Sequence, residues 1–290
     1  MRDFAGKVAV ITGAGSGFGL EFARIGAAQK MRLVLADMQQ DALDAAVAEA
    51  RSRGAEAIGV RTDVSIAEEV ERLAARADEA FGGVHLLFNN AGVAAGGGYV
   101  WEGSIKDWKW LLGVNVMGVV HGIRSFVPRM LEHGAESHVV NTASAAGLVS
   151  PPLSAPYNAS KHAVVALSET LYHDLRLAKA RVGVSVLCPA YVPTGISRSD
   201  RNRPPELRDD SPQTPSQVAA RERSEKAVGA GKLSAADVAR TTFDAIREDR
   251  FYVITHRNLL PSVELRLRDV LEQRAPSDPY TYRPNLKREV

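Results

Sequence analysis

Cysteine and surplus charge are both scarce in this sequence, and each shortage removes a class of protein. Cys188 is the single cysteine. No internal disulfide framework and no Cys-x-x-Cys metal or redox motif can therefore form. Lys and Arg number 36 against 34 Asp and Glu, a net charge of +2 over 290 residues. That is far too small a field to hold a nucleic acid by bulk charge. The 7 histidines are scattered, without His-Glu-x-x-His spacing, so no metal site is expected. Ser16 is flanked at two residues' distance by Ala14 and Phe18, and Ser144 by Thr142 and Ala146. Neither fits the Gly-x-Ser-x-Gly elbow of a serine hydrolase. No uninterrupted apolar run approaches the roughly 18 residues of a membrane span. The first residues lack the apolar stretch of a leader. No membrane partner and a cytoplasmic location are the expectations.

What is present is an ordinary globular composition, 45% hydrophobic and 24% charged, with enough apolar surface to offset ordering entropy. Short apolar, β-branched runs at 8–12, 33–36, 57–60, 84–88, 138–141, 182–187 and 251–254 alternate with helical patterns near 19–30, 39–53, 66–81, 107–132, 155–180 and 234–249. Nearly continuous apolar strands suit a parallel sheet covered on both faces, and the alternation means right-handed βαβ crossovers. The fold class is α/β: a Rossmann-like, doubly wound, seven-stranded parallel sheet with helices on both faces, in one domain over 1–290. Ser65 to Glu68 and Ser234 to Asp237 have capping-box spacing. Gly54 and Gly82-Gly83 stop the helices before them. The polar stretch 196–231 breaks the rhythm with Pro204, Pro205, Pro212 and Pro215 and several arginines, and is read as a substrate lid. The segment 256–290 is a C-terminal extension, basic and Pro-containing over 274–290.

Thr12 to Gly19 follows the first strand and opens a helix. Gly13, Gly17 and Gly19 give the pattern TGxxxGxG, which lets backbone amides approach a pyrophosphate at a helix N-terminus. Ser16 and Phe18 complete the loop. Asp37 closes the second strand, where a carboxylate accepts from the hydroxyls of an adenosine ribose and repels a 2′-phosphate. With no basic residue beside it, NAD is preferred over NADP.

At this point the chain, over roughly residues 5–255, resembles a classical short-chain dehydrogenase/reductase. Beyond the glycine loop, Asp63-Val64 matches that family's adenine-contacting pair. Asn89-Asn90-Ala91-Gly92 matches the segment after its fourth strand. Asn115, Ser144, Tyr157 and Lys161 match its catalytic tetrad. The extended subfamily fits worse, because its loop needs glycine where Ser16 stands. The resemblance implies that Asn90, Ala91, Gly92, Pro189, Val192 and Thr194 contact the cofactor, with Ala190 standing where glycine is usual. It also implies that Asn115 orients a water leading from Lys161 to solvent.

The residues agree chemically. Tyr157 and Lys161 are one helical turn apart on one face, and a neighbouring ammonium lowers a phenol pKa toward the range of a general base. Ser144 lies upstream, where its hydroxyl can hold a substrate oxygen. The expected activity is interconversion of a secondary alcohol and a ketone. The pocket walls expected are Val93, Ala94, Trp101, Leu148, Val149, Leu153 and Tyr191, which suit a hydrophobic or aromatic small-molecule substrate. Arg198, Arg201, Arg203 and Arg208 are the charged exceptions, readable as a carboxylate site or as a solvated face. A non-catalytic NAD(H)-sensing regulator on the same fold is the alternative class. The resemblance further implies a homo-oligomer, dimer or tetramer, built on the long helices 107–132 and 155–180.

Overall fold

A computed structural model describes residues 1–95, 97–209 and 211–282. Two expected segments therefore reach beyond the described residues: the 196–231 stretch at position 210, and the extension at 283–290. Seven parallel strands form one sheet in the order β3-β2-β1-β4-β5-β6-β7. They are β1 Val8–Thr12, β2 Arg32–Asp37, β3 Ala57–Arg61, β4 Leu86–Asn89, β5 Ser137–Thr142, β6 Val182–Leu187 and β7 Tyr252–Val253. Side chains alternate between the two faces of each strand, and the core divides accordingly. Ile11, Leu35 and Phe88 pack on one face against α1 Gly17–Ala28, α2 Gln40–Ser52 and α8 Ala235–Arg247. There the Phe22 and Phe88 rings stack at 4.4 Å. Val10, Val34 and Leu87 pack on the other face against α3 Ala67–Phe81, α5 Gly118–His133 and α6 Ala155–Leu177.

Strand order reverses between β1 and β4, the point where a doubly wound sheet opens a crevice at its carboxyl edge. Thr12 ties that seam. Its hydroxyl donates to the Phe88 carbonyl at 3.1 Å and accepts from the amides of Asn90 (2.9 Å) and Ala91 (3.0 Å).

Several local expectations need correction. Ser65 does not cap α3: its hydroxyl donates instead to Asp63 at 2.7 Å, and Glu69 takes the Asp63 amide at 2.7 Å. The box at Ser234 and Asp237 is formed. The helix expected over 107–132 is two helices, α4 Ile105–Leu112 and α5, joined by a π turn over Gly113–Met117. This continuous stretch, Ile105–His133, is long and apolar enough to cross a membrane, although no single run announces it. Val119, Phe126 and Met130 bury its apolar face inside the protein. Two helices lie where none was expected. They are α7 Pro215–Gly229, inside the Pro/Arg-rich stretch, and α9 Leu260–Leu271, in the extension.

Candidate active site

The glycine loop is shaped by contacts that exclude side chains. A Cβ on Gly19 would stand 2.0 Å from the Gly13 carbonyl oxygen. Gly13 has a φ of +66°, and a Cβ there would stand 2.9 Å from the Ala91 Cα, so no L side chain fits. Ser16 is the exposed N-cap of α1 and makes no side-chain capping bond, which leaves first-turn amides open to an anion. Phe18 packs half-buried on the core beneath.

Asp37 ends β2 beside this loop. One carboxylate oxygen accepts from the Gly15 amide at 2.9 Å and the other from the Gln39 amide at 3.0 Å. Each oxygen keeps a further acceptor position. Gly15 is thus a site residue that the glycine spacing alone missed; its closeness to Asp37 appears only in three dimensions. Asp63 is half-buried, with Val64 buried beside it. The Val64 carbonyl meets the His121 ring nitrogen at 2.9 Å. Asn90 donates to the Thr12 carbonyl at 2.9 Å. Gly92 faces the catalytic candidates: a Cβ there would lie 3.3 Å from Asn115 Oδ1 and 3.5 Å from Lys161 Nζ.

The four tetrad candidates converge at the carboxyl edge of the sheet. Asn115 projects from the π turn and is 1% exposed. It accepts from the Val93 amide at 2.8 Å, and donates to the Val93 carbonyl at 3.0 Å and to Ser160 Oγ at 3.1 Å. A π turn inserts one residue into a helix and re-aims the side chains beyond it; here it aims an amide at the chain leaving β4. Ser144 begins a short turn after β5. Its Oγ lies 3.3 Å from the Pro189 carbonyl and accepts from the Ala146 amide at 3.2 Å.

Tyr157 and Lys161 share one face of α6, with Nζ 5.6 Å from the ring centre. Burial pushes the Tyr157 phenol up to about 12, a hydrogen bond with Ser144 pulling the other way. Burial pushes Lys161 down to about 8. The expected lowering of the phenol by Lys161 is therefore not what this chain's own groups produce. Lys161 is buried, and its ammonium donates to the Thr142 carbonyl at 3.0 Å.

After β6, Pro189 accepts the Ala145 amide at 2.8 Å. The backbone at Ala190 does not enter the left-handed region, so alanine is accommodated where the resemblance has glycine. Val192 is buried in the core. Thr194 stands against the glycine loop, its Cβ 3.5 Å from where a Gly17 Cβ would be.

These elements enclose one cavity of about 1240 Å³. Among the sequence-derived site residues, Gly19 and Asn115 do not line it; the others do. Val93, Ala94, Val149, Leu153 and Tyr191 form its walls as expected. Trp101 and Leu148 do not. Trp101 is 77% exposed and stacks on Tyr99 at 4.7 Å, while Leu148 packs into the core. Trp110, Leu207, Ala220, Val228 and Tyr280 line the cavity instead.

Of the four arginines, Arg203 is neither a free carboxylate receptor nor solvated. It is 9% exposed, pairs with Asp107 at 2.6 Å and lies 4.4 Å over the Trp110 ring. Arg201 reaches the segment after β2, donating to Gln39 Oε1 at 3.2 Å. Arg208 lines the cavity and Arg198 does not. Helix α7 is anchored through Glu102, which accepts from Thr214 at 2.8 Å and from Ser216. The signal that could have revealed α7 is its capping box, Thr214 to Gln217, with Pro215 at the first helical position.

The family model for short chain dehydrogenase matches residues 7–205. The chain is 33% identical over 279 residues to a CLA biosynthesis dehydrogenase/reductase of Lactiplantibacillus plantarum, covering 95% of this chain and 97% of that protein. It is 37% identical over 268 residues to the 1-deoxy-11-beta-hydroxypentalenate dehydrogenase of Streptomyces exfoliatus, covering 91% and 86%. A crystal structure of a short chain dehydrogenase/reductase from Burkholderia phymatum, in complex with NAD, superposes with a TM-score of 0.94 at 59% identity, covering 96% of this chain and 99% of that one.

Proposed function

The chain belongs to the short chain dehydrogenase family, and from that premise we propose that it is an NAD-dependent oxidoreductase interconverting a secondary alcohol and a ketone. The observation that carries this is the meeting of Ser144, Tyr157 and Lys161 on one wall of the cavity whose other wall is the Gly13–Gly19 loop and Asp37. The residues present fit a dinucleotide: the loop excludes side chains where a pyrophosphate must approach, and Asp37 keeps acceptor positions for a ribose. The same carboxylate, with Ser16 rather than a basic residue nearby, favours NAD over NADP. Bound NAD supplies the hydride acceptor or donor.

The chain's own groups do the rest. Tyr157 Oη exchanges a proton with the substrate oxygen. Ser144 Oγ holds that oxygen. Lys161 Nζ, beside the phenol, supplies positive charge toward the nicotinamide-ribose side. Asn115 fixes the backbone at Val93 and the Tyr157–Lys161 turn through Ser160. The segment 196–231 acts as a lid latched by Arg203. The walls favour an uncharged hydrophobic or aromatic substrate. A cytoplasmic homo-oligomer, dimer or tetramer, completes the proposal; exposed Leu112, Met117, Leu131 and Leu177 on α4, the π turn, α5 and α6 support association.

The test is NAD⁺ reduction across secondary alcohols of graded size and charge. Turnover that disappears in Tyr157→Phe, with NAD still bound, bears the proposal out. Tight NAD binding with no turnover of any alcohol or ketone would instead make the protein a nucleotide sensor.

A further inference from the structure

Leu153 stands in the short segment between Ser144 and α6, and its φ is +63°. Among the described residues, Lys30, Lys179, Asp249 and Gln273 are the other non-glycine residues with positive φ. Each of those is exposed and lies one residue past the C-cap of a helix, α1, α6, α8 or α9, where a left-handed residue commonly closes the last turn. Leu153 closes no helix. It comes just before Ser154, the N-cap of α6, and it is buried. A bulky side chain strains this conformation, which glycine adopts freely.

The strain is held in place by the surroundings. Successive carbonyls of this segment are tied to different parts of the protein. Asn158 of α6 donates to the Pro151 carbonyl at 2.8 Å, Arg223 of α7 to the Pro152 carbonyl at 2.6 Å, and the Gly98 amide to the Leu153 carbonyl at 3.2 Å. Gly98 also pairs with Ser154 in a parallel β-bridge. A backbone fixed from several sides can keep a strained residue. The side chain it presents is a cavity wall. Leu153 lines the cavity that Ser144 and Tyr157 also line, and it joins none of the packed apolar clusters among the described residues. Val149, Ala220 and Leu259 are likewise buried, line the cavity and stand outside those clusters. A leucine serving the core alone would pack into it, and a residue serving the turn alone would be glycine.

From this placement we infer that Leu153 is a specificity-determining residue: its side chain, fixed in the cavity by a strained and tethered backbone, limits the size of the apolar group on the substrate's carbinol carbon. A flexible loop would let such a side chain swing aside. Here the ties to α6, α7 and Gly98 prevent it, so the limit is sharp. The substrate class narrows from any hydrophobic alcohol or ketone to one whose larger substituent ends at Leu153.

This inference rests on the proposed redox activity, and the experiment separates the two. NAD⁺ reduction is measured on methyl carbinols whose second group is ethyl, phenyl, naphthyl or biphenyl. In the wild type, kcat/KM should break downward at one step of that series. Leu153→Ala and Leu153→Gly should raise kcat/KM for the first member beyond the break, relative to the member before it, by about tenfold or more, the discrimination an apolar pocket makes for even one methylene. Leu153→Phe should move the break toward the smaller members. Glycine adopts a φ of +63° without strain, so Leu153→Gly supplies a folded variant even where alanine does not, and melting curves check this. A merely structural Leu153 would depress every member together in all the variants, and that result overturns the inference. So does a wild type without a break, or a break that stays at the same step in every variant. No turnover of any member by the wild type or the variants overturns the redox proposal itself, and this inference falls with it.

Discussion

Lys161 and Thr142 are joined by a 3.0 Å hydrogen bond from the ammonium to the carbonyl at the end of β5, and this bond is formed inside the protein, where a charge is expensive. The folded-state pKa is held at about 8, against 10.5 for the free side chain, by burial. A group whose folded pKa is depressed favours its neutral form in the folded state, so stability is fullest above pH 10.5 and falls as pH drops to about 8. Below that the penalty is constant, roughly 3 kcal/mol for a shift of this size. Lys161→Met removes the penalty but leaves the Thr142 carbonyl unpaired, an offset of about 1 kcal/mol. The variant should therefore be more stable than wild type at pH 7, with the gap closing between pH 8 and 10.5. Urea titrations across that range check it; a difference independent of pH refutes it.

Tyr157, pushed up to about 12 by burial, should remain a phenol throughout the neutral range in the protein alone. The difference absorbance between wild type and Tyr157→Phe should show no phenolate appearing below pH 10. In turnover, the same substitution should cost at least about a hundredfold in kcat, the usual contribution of a positioned acid or base, while NAD affinity stays within a few-fold.

Asp37 contacts the Gly15 and Gln39 amides, so its removal should disturb the loop as well as the proposed cofactor site. Asp37→Ala should weaken NAD binding and narrow the ratio of NAD to NADP use, measured as kcat/KM with each. A wild type that already prefers NADP would contradict the carboxylate argument.

Arg203 and Asp107 form a largely buried pair, 9% and 12% exposed. Breaking one partner leaves the other uncompensated, at a cost of about 3 kcal/mol. In Arg203→Ala that cost should appear as loosening of the segment from Gly195 to Asp209. Faster proteolysis there, and a raised KM with little change in NAD affinity, are the expected outcomes. Removing both partners should restore part of the loss.

Gly122 on α5 packs against Asn89, and a Cβ there would stand 2.0 Å from Asn89 Oδ1. Asn89 donates to Asn141, and Asn141 to Ser168, in a buried chain. Gly122→Ala should destabilise by about 2 kcal/mol or more through overpacking, read as a shift in the urea midpoint with unchanged slope.

Most of the sheet was legible in the sequence because strands buried on both faces read as unbroken apolar runs. Val8–Thr12 and Val182–Leu187 were matched residue for residue. Short edge strand β7, exposed at Tyr252, was overestimated because apolarity continues beyond its pairing. Helix α7 was hidden because its apolar residues have almost no helical periodicity, so only its cap betrays it. That Tyr157 and Lys161 share one helix face was legible from their spacing, while Asn115 and Ser144 entered through the resemblance; the surroundings of Nζ were not legible, because they depend on burial and on where Nζ finds its acceptor. Trp101 follows the carboxyl end of β4, where pocket walls are expected, yet its side chain stands exposed. Arg203, read with its neighbours as a charge run, is buried because Asp107 and Trp110 arrive from a different helix.

The π turn at Gly113–Met117 turns chain length itself into information. Each residue rotates an α-helix by about 100°. Deleting any one of its residues other than Asn115 would convert the turn to regular helix and swing Asn115 away from Val93, although every side chain named in the site would remain in the sequence. The stretch should therefore accept conservative apolar exchanges on its exposed side, yet refuse insertions and deletions of even one residue. Gaps, more than exchanges, are the signature by which this segment should be followed among related chains.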